Sequence, residues 1–148
     1  METTLTILKP DSVGDGDAGK ILAQLEGEGF KIRALKKLRL TEAQARAFYE
    51  VHKERPFYAG LIEFITSGPV VAMAWRGTDA ISVCRNVIGP TDGSSAPGGT
   101  IRGDFALEIG KNLVHGSDGE ETAEFELGLW FPEGEVDWER VTEEWVYE

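Results

Sequence analysis

Apolar and polar positions alternate along Thr4-Leu5-Thr6-Ile7-Leu8, a β-branched run that stops at Lys9-Pro10. This pattern predicts a strand whose C-terminal end presents Lys9. After a Gly-rich polar stretch from Asp11 to Ala18, Ile21, Leu22 and Leu25 predict an amphipathic helix that Gly27 and Gly29 stop. Phe30-Lys31-Ile32-Arg33-Ala34-Leu35 alternates apolar with basic side chains, as a half-buried antiparallel strand does. The chain therefore opens as β-α-β.

Thr41-Glu42-Ala43-Gln44 reads as a capping box that opens a helix to about Lys53, and Phe57 to Ile65 predicts another short helix before Gly68-Pro69. Pro69 to Trp75 is almost continuously apolar, which puts a strand at the centre of a sheet, and Thr78-Asp79 then caps a helix to about Ile88. From Gly89 to Gly110 the residues are mostly those of loops, a stretch of about twenty, and loops of that length in compact domains are usually functional or disordered. Leu113-Val114-His115 supplies a last short strand. Ser117-Asp118-Gly119-Glu120 reads as a second capping box, opening a helix to about Trp130. With strands that alternate in polarity, this order favours an antiparallel sheet with helices packed on it.

Composition narrows the picture. A chain of 148 residues with 41% hydrophobic content fits one domain with its own core, and no internal repeat divides it. Its 26 acidic and 15 basic residues give a net charge of −11, which argues against nucleic acid or an anionic membrane as a partner. An anion would have to be held by a local basic cluster. The start Met1-Glu2-Thr3-Thr4 has no basic or apolar signal region, and no apolar run approaches the ~18 residues of a membrane span. A cytoplasmic location is expected. The single Cys84 allows no internal disulfide, and one cysteine with His52 and His115 makes no zinc framework, so Cys84 reads as a core filler. The acidic excess reads as a solvated surface or as adaptation to a salty cytoplasm; a melting temperature flat from low to molar salt would reject the second.

Two nucleotide motifs fail on inspection. Gly14-Asp15-Gly16-Asp17-Ala18-Gly19 has the spacing of a dinucleotide fingerprint, but its aspartates would face a pyrophosphate with like charge. Extended to Lys20-Ile21, it approaches a phosphate loop with isoleucine where a Mg²⁺-binding hydroxyl is needed.

The stretch from Lys111 to Asp118 is more informative. Alone, His115 fits a satisfied core histidine as well as a nucleophile. Its neighbours shift the balance: Gly116 opens the backbone beside the ring, and Ser117 is expected to cap the next helix, where a phosphate would meet a hydroxyl and helix N–H groups. Glu126 lies at the border of that helix's buried face. A carboxylate against one ring nitrogen fixes the tautomer and leaves the other lone pair to attack. Phosphoryl transfer also needs cations, for which Lys9, Arg85 and Arg102 are candidates.

The stretches Lys9-Pro10-Asp11, Arg55-Pro56-Phe57, Ser67-Gly68-Pro69-Val70, Gly99 to Phe105, Asn112 to Asp118 and Trp145-Val146-Tyr147-Glu148 resemble those of nucleoside diphosphate kinases, over essentially the whole chain. The resemblance implies a ferredoxin-like α+β fold with a four-stranded antiparallel sheet, a long active-site loop and a C-terminal extension. It implies ping-pong transfer in which Nδ1 of His115 is phosphorylated by a nucleoside triphosphate and then phosphorylates a diphosphate. Glu126 and Ser117 match the positions that orient the ring and assist transfer. Lys9, Arg85, Thr91, Arg102 and Asn112 match those that contact phosphates and sugar, and Tyr49 matches a tyrosine near the phosphates. Phe57 matches the aromatic on which the base stacks, with Leu61 lining the same cleft. Mg²⁺ is expected to arrive on the nucleotide, with Asp118 approaching it through water and no dedicated ligand, and the chain is expected to form a homotetramer or homohexamer.

Two positions depart from the family pattern. Ser12 stands where glycine is common and Asp92-Gly93 where Asn-Pro is usual, both expected in loops; the second puts loop rigidity in question. His52 matches no catalytic position and reads as a helix-surface residue. The rival reading is a nucleotide-binding regulatory module without transfer activity.

Overall fold

A computed structural model describes residues 1–106, 113–139 and 141. Its strands are β1 (Glu2–Leu8), β2 (Lys31–Leu38), β3 (Val70–Gly77) and β4 (Val114–Gly116). They form one antiparallel sheet in the order β2-β3-β1-β4. The apolar strand β3 is central, as its composition predicts. The opening β-α-β is split, because β3 lies between β1 and β2.

Helices cover both faces of this sheet. Leu5 and Ile7 pack with Phe48, Ile62, Ile65 and Trp130 on one side, whereas Leu8, Met73 and Trp75 pack with Ile21, Leu25, Cys84 and Ile88 on the other. The polar half of the β1 alternation is therefore buried too, and Thr6 Oγ1 accepts a hydrogen bond from Trp75 Nε1 at 2.9 Å. A buried hydroxyl and indole satisfy one another there, which removes the cost of leaving either unpaired.

The helices are α1 (Pro10–Gly14), α2 (Ala18–Glu26), α3 (Glu42–Phe48), α4 (Tyr58–Ile65), α5 (Ala80–Ile88), α6 (Ile101–Phe105) and α7 (Glu120–Trp130). The capping box at Thr41 and Gln44 forms as predicted. Other boundaries differ from expectation. The polar stretch after Lys9 begins with α1, which carries Pro10 in its first turn, where a missing N–H costs nothing. The helix from Glu42 ends at Phe48 and gives way to a 3₁₀ turn, Glu50–His52. The stretch after Gly89 contains a 3₁₀ turn, Gly93–Ser95, and α6, capped by the Thr100 hydroxyl accepting from Gly103 N at 3.0 Å. Two expected caps do not form: Asp79 lies in the left-handed region at φ 51° with no side-chain cap, and α7 starts from Gly119, not Ser117. Glu2 Oε1 instead accepts from Ile81 N at 3.2 Å, so the first strand caps α5.

The sheet edge at β2 meets the segment before Trp138. A bulge between Ile32 and Ala34 interrupts the ladder at Arg33, whose carbonyl accepts from Val136 N at 2.8 Å. Trp138 Nε1 donates to Ile32 O at 2.6 Å. Glu133, Glu135 and Asp137 lie within 3.2–3.7 Å of Lys36, Arg33 and Lys31. An acidic segment thus covers part of an edge that would otherwise offer open backbone groups. Among the described residues, no helix is long and apolar enough to cross a membrane.

Candidate active site

Residue pairing between β1 and β4 sets His115 opposite Ile7, two residues before Lys9. The chain reaches β4 through Leu113, whose φ of 73° is left-handed, a conformation that costs a non-glycine residue ~1–2 kcal/mol. Three hydrogen bonds hold that residue: Lys9 N and Ser12 Oγ donate to Leu113 O at 2.8 and 3.0 Å, and Leu113 N donates to Asp11 Oδ2 at 2.8 Å. The segment leaving β1 and the segment entering β4 are thereby joined, and Lys9 is brought beside the histidine strand. Ser12 sits fully buried in α1, not in a loop.

Around the ring, Nε2 of His115 lies 2.8 Å from Glu126 Oε2, with the histidine side chain 23% exposed. The approach is off the N–H axis, since Nε2 makes no hydrogen bond within ordinary angular limits. The contact is therefore a close approach and not a directed hydrogen bond, and it leaves Nδ1 as the nitrogen without the carboxylate. Glu126 is itself fixed by Ser117, whose hydroxyl donates to Oε1 at 2.7 Å. Ser117 was expected to cap α7; it holds the carboxylate instead. Phe48 packs edge-on against the imidazole, with centroids 5.0 Å apart, a contact with no sequence signal beyond its place before Tyr49.

Cations gather along β4. Arg102, nearly buried, donates to Gly89 O at 2.9 Å and Val114 O at 2.6 Å, and Arg85 donates to Gly116 O at 3.3 Å. Burial, and then the charge of Arg102, lower the Lys9 ammonium pKa to about 8, although Asp11 pulls the other way. Burial and the charge of Arg85 likewise lower Arg102 to about 10. These cations feel one another. A Cβ on Gly116 would stand 2.9 Å from Ile88 Cδ1, so glycine lets α5 bring Arg85 against β4. A cavity of about 330 Å³ lined by Arg85, Asn86, Gly89, Pro90, Pro97 and Thr100 borders this cluster.

Aromatic rings extend the site. Tyr49 is buried against Phe48, and burial, followed by the Glu126 charge, pushes its phenol well above the usual range, so it stays a neutral donor. His52 is half-buried between Tyr49 and Phe57, at centroid distances of 6.2 and 5.6 Å. The 3₁₀ turn stacks residues three apart, which places His52 over Tyr49 and off the helix surface expected for it. Phe57 itself is 50% exposed, and Leu61 packs partly into the core behind it.

Thr91 is exposed and makes no hydrogen bond among the described residues, and Asn112 lies outside the described residues. Asp118 is exposed at the start of the turn into α7. Among the described residues, no three or more histidine, cysteine or acidic side chains gather as a metal-holding group. Cys84 is a core thiol whose pKa burial pushes up to about 12. Asp92 is locally bound, accepting from Ser94 N and Oγ at 3.0 and 2.6 Å, and an added Cβ on buried Gly93 would stand 2.4 Å from Ala106 Cβ. The Asp-Gly pair fits its turn closely.

Comparison with known proteins places the chain in a family. The family model for nucleoside diphosphate kinase matches residues 2–136. A nucleoside diphosphate kinase from Synechococcus sp. (strain JA-3-3Ab) is 50% identical, each chain covered completely. The crystal structure of a family protein from Babesia bovis superposes with a TM-score of 0.95 at 42% identity, covering 99% of this chain and 100% of that one. A halophilic nucleoside diphosphate kinase from Halobacterium salinarum, solved in complex with CDP, gives a TM-score of 0.95 at 45% identity, with 99% of each chain covered. The chain belongs to the nucleoside diphosphate kinase family, a family of phosphotransferases.

Proposed function

We propose that this enzyme moves the γ-phosphoryl group of a nucleoside triphosphate to a nucleoside diphosphate through a phosphohistidine at His115. The observation that carries the reading is the imidazole held at Nε2 by the Ser117–Glu126 pair beside mutually repelling cations. Nδ1 attacks the γ-phosphorus with its lone pair, a P–N bond forms, and the bond to the β,γ-bridging oxygen breaks so that the diphosphate leaves with that electron pair. Glu126 offsets the positive charge that develops on the ring. A second diphosphate then attacks the phosphohistidine, reversing these steps.

Lys9, Arg85 and Arg102 bind the phosphate oxygens, with Thr91 and Asn112 completing phosphate and sugar contacts, and Tyr49 supplies a neutral hydroxyl near them. Phe57, exposed and backed by Leu61, stacks on the base; every base has a π-face, so base discrimination is weak. The Halobacterium relative's complex with CDP supports a cleft for nucleotides. Mg²⁺ arriving on the phosphates would neutralise part of their charge, and exposed Asp118 fits a contact to it through water. Self-association as a tetramer or hexamer is supported by an open apolar groove of about 270 Å³ that includes Leu38, Leu40, Leu129 and Trp130. The proposed setting is the cytoplasm. The regulatory rival is not favoured, because a sensor needs the cations but has no use for His115, Glu126 and Ser117 together.

The test is transfer from GTP to UDP. Wild type is expected to give the parallel double-reciprocal lines of a ping-pong mechanism. Full transfer by His115→Ala would refute the reading.

A further inference from the structure

The turn before β4 bears on the chemistry through residues that the mechanism above leaves unused. Leu113 is one of two described non-glycine residues with positive φ, and it is fully packed, 2% exposed, in the core beside Leu8 and Val114. A buried leucine adopts that conformation only where its surroundings over-determine it. Among the described residues, its backbone hydrogen bonds are made with Lys9, Asp11 and Ser12, about a hundred positions earlier in the chain.

Each bond does something different. Lys9 N continues the β1–β4 pairing one step beyond Leu8 and Val114. Asp11 Oδ2 receives the Leu113 N–H just ahead of the first residue of β4. The Ser12 hydroxyl lies 3.0 Å from both Leu113 O and Lys9 O, joining the two carbonyls through one side chain. A glycine at position 12 would lack that link. His115 is two residues beyond Leu113, and Lys9 carries the ammonium, so whatever fixes this turn fixes nucleophile and cation together.

We infer that Asp11 and Ser12 are positioning residues for phosphoryl transfer, clamping the left-handed Leu113 so that His115 and Lys9 keep their mutual placement. The inference rests on the reading of His115 as the nucleophile. Displacements of about an ångström at a reacting group cost on the order of a hundredfold in rate, so a loosened turn is felt at the chemical step.

The test compares Asp11→Ala, Asp11→Asn and Ser12→Gly with wild type at about pH 6.5, where lysine stays protonated. Three quantities are read: the single-turnover rate of label transfer from γ-labelled ATP to the protein at saturating nucleotide, the Kd for ADP, and the melting temperature. Asp11→Ala is expected to slow label transfer roughly tenfold to a hundredfold while the Kd changes far less. Asp11→Asn keeps an oxygen to accept from Leu113 N, so it is expected to recover most of the rate. Ser12→Gly is expected to slow transfer about threefold, the loss of one neutral hydrogen bond.

A purely structural role predicts lowered melting temperatures with unchanged transfer rates in the folded proteins, and that result would overturn the inference. So would Asp11→Asn behaving like Asp11→Ala, because charge and not the hydrogen bond would then matter. If Asp11→Ala fails to fold, Ser12→Gly decides: an unaltered rate rejects the clamp. A His115→Ala control that still takes up label would instead sink the underlying reading, and the two failures are thereby told apart.

Discussion

Two groups of basic side chains sit in this acidic chain, and they are held in opposite ways. On β2, Lys31, Arg33 and Lys36 face Glu133, Glu135 and Asp137 across the sheet edge. Beside β4, Arg102 and Arg85 donate to backbone carbonyls, and the pKa values of Lys9 and Arg102 are pulled down by burial and by neighbouring cations. The first group is neutralised by the protein itself. The second gathers buried, mutually repelling cations at one place, the local basic cluster that an anion needs in a chain of net charge −11.

The sharpest way to break this contrast is to remove one cation from each group. Lys9→Ala or Arg102→Ala is expected to lower kcat/KM for GTP-to-UDP transfer by about a hundredfold or more, as loss of a transition-state donor does. Arg33→Ala is expected to leave transfer unchanged and to cost on the order of 1 kcal/mol of stability in urea unfolding, because the half-buried guanidinium pairs with Glu135 and Asp137 at the sheet edge. Comparable activity losses in both would erase the distinction.

Next in size is Ser117→Ala. It leaves the buried Glu126 Oε1 without its donor, so a loss of ~1–3 kcal/mol in unfolding free energy is expected, together with slower phosphorylation of His115. Unchanged stability would mean that the carboxylate finds another partner.

Lys9 makes the contrast visible in pH. Its folded pKa of about 8 lies below its ordinary 10.5, so between those values the unfolded chain binds more protons and Lys9's contribution to stability rises with pH. A bound polyphosphate raises the Lys9 pKa, so ADP binding near pH 8 is expected to take up protons. Calorimetry in two buffers of different ionisation heat measures that uptake, and Lys9→Met should abolish it. The smallest effect belongs to the acidic segment along β2: molar salt screens its partly exposed pairs, and the lowering of melting temperature by Arg33→Ala should shrink accordingly.

The elements that the sequence made legible are those with a long period. The β1 alternation, the apolar β3 and the capping box at Thr41 read directly because each is a local rule carried by consecutive residues. Short helices such as α1 and α6 were hidden in polar, Gly-rich stretches, where five residues give no periodicity. At the site, His115, Glu126 and the three cations are readable as residue types, but what gathers them is tertiary: the β1–β4 pairing brings Lys9, and bonds to Gly116 O and Val114 O bring Arg85 and Arg102. The clamp on Leu113 was not readable. A left-handed leucine has no sequence signature, and its partners Asp11 and Ser12 meet it only through the β1–β4 pairing. The cap expected of Ser117 fails for a related reason: a serine ahead of a helix is an ordinary cap, and only the fold turns it toward Glu126.

The most direct test of the account is incubation of the purified protein with γ-labelled ATP, followed by addition of an unlabelled diphosphate. Label that is acid-labile and alkali-stable, absent from His115→Ala and discharged by any nucleoside diphosphate, is the predicted result. A protein that transfers phosphate without ever carrying label, or that carries it equally well without His115, would contradict the account.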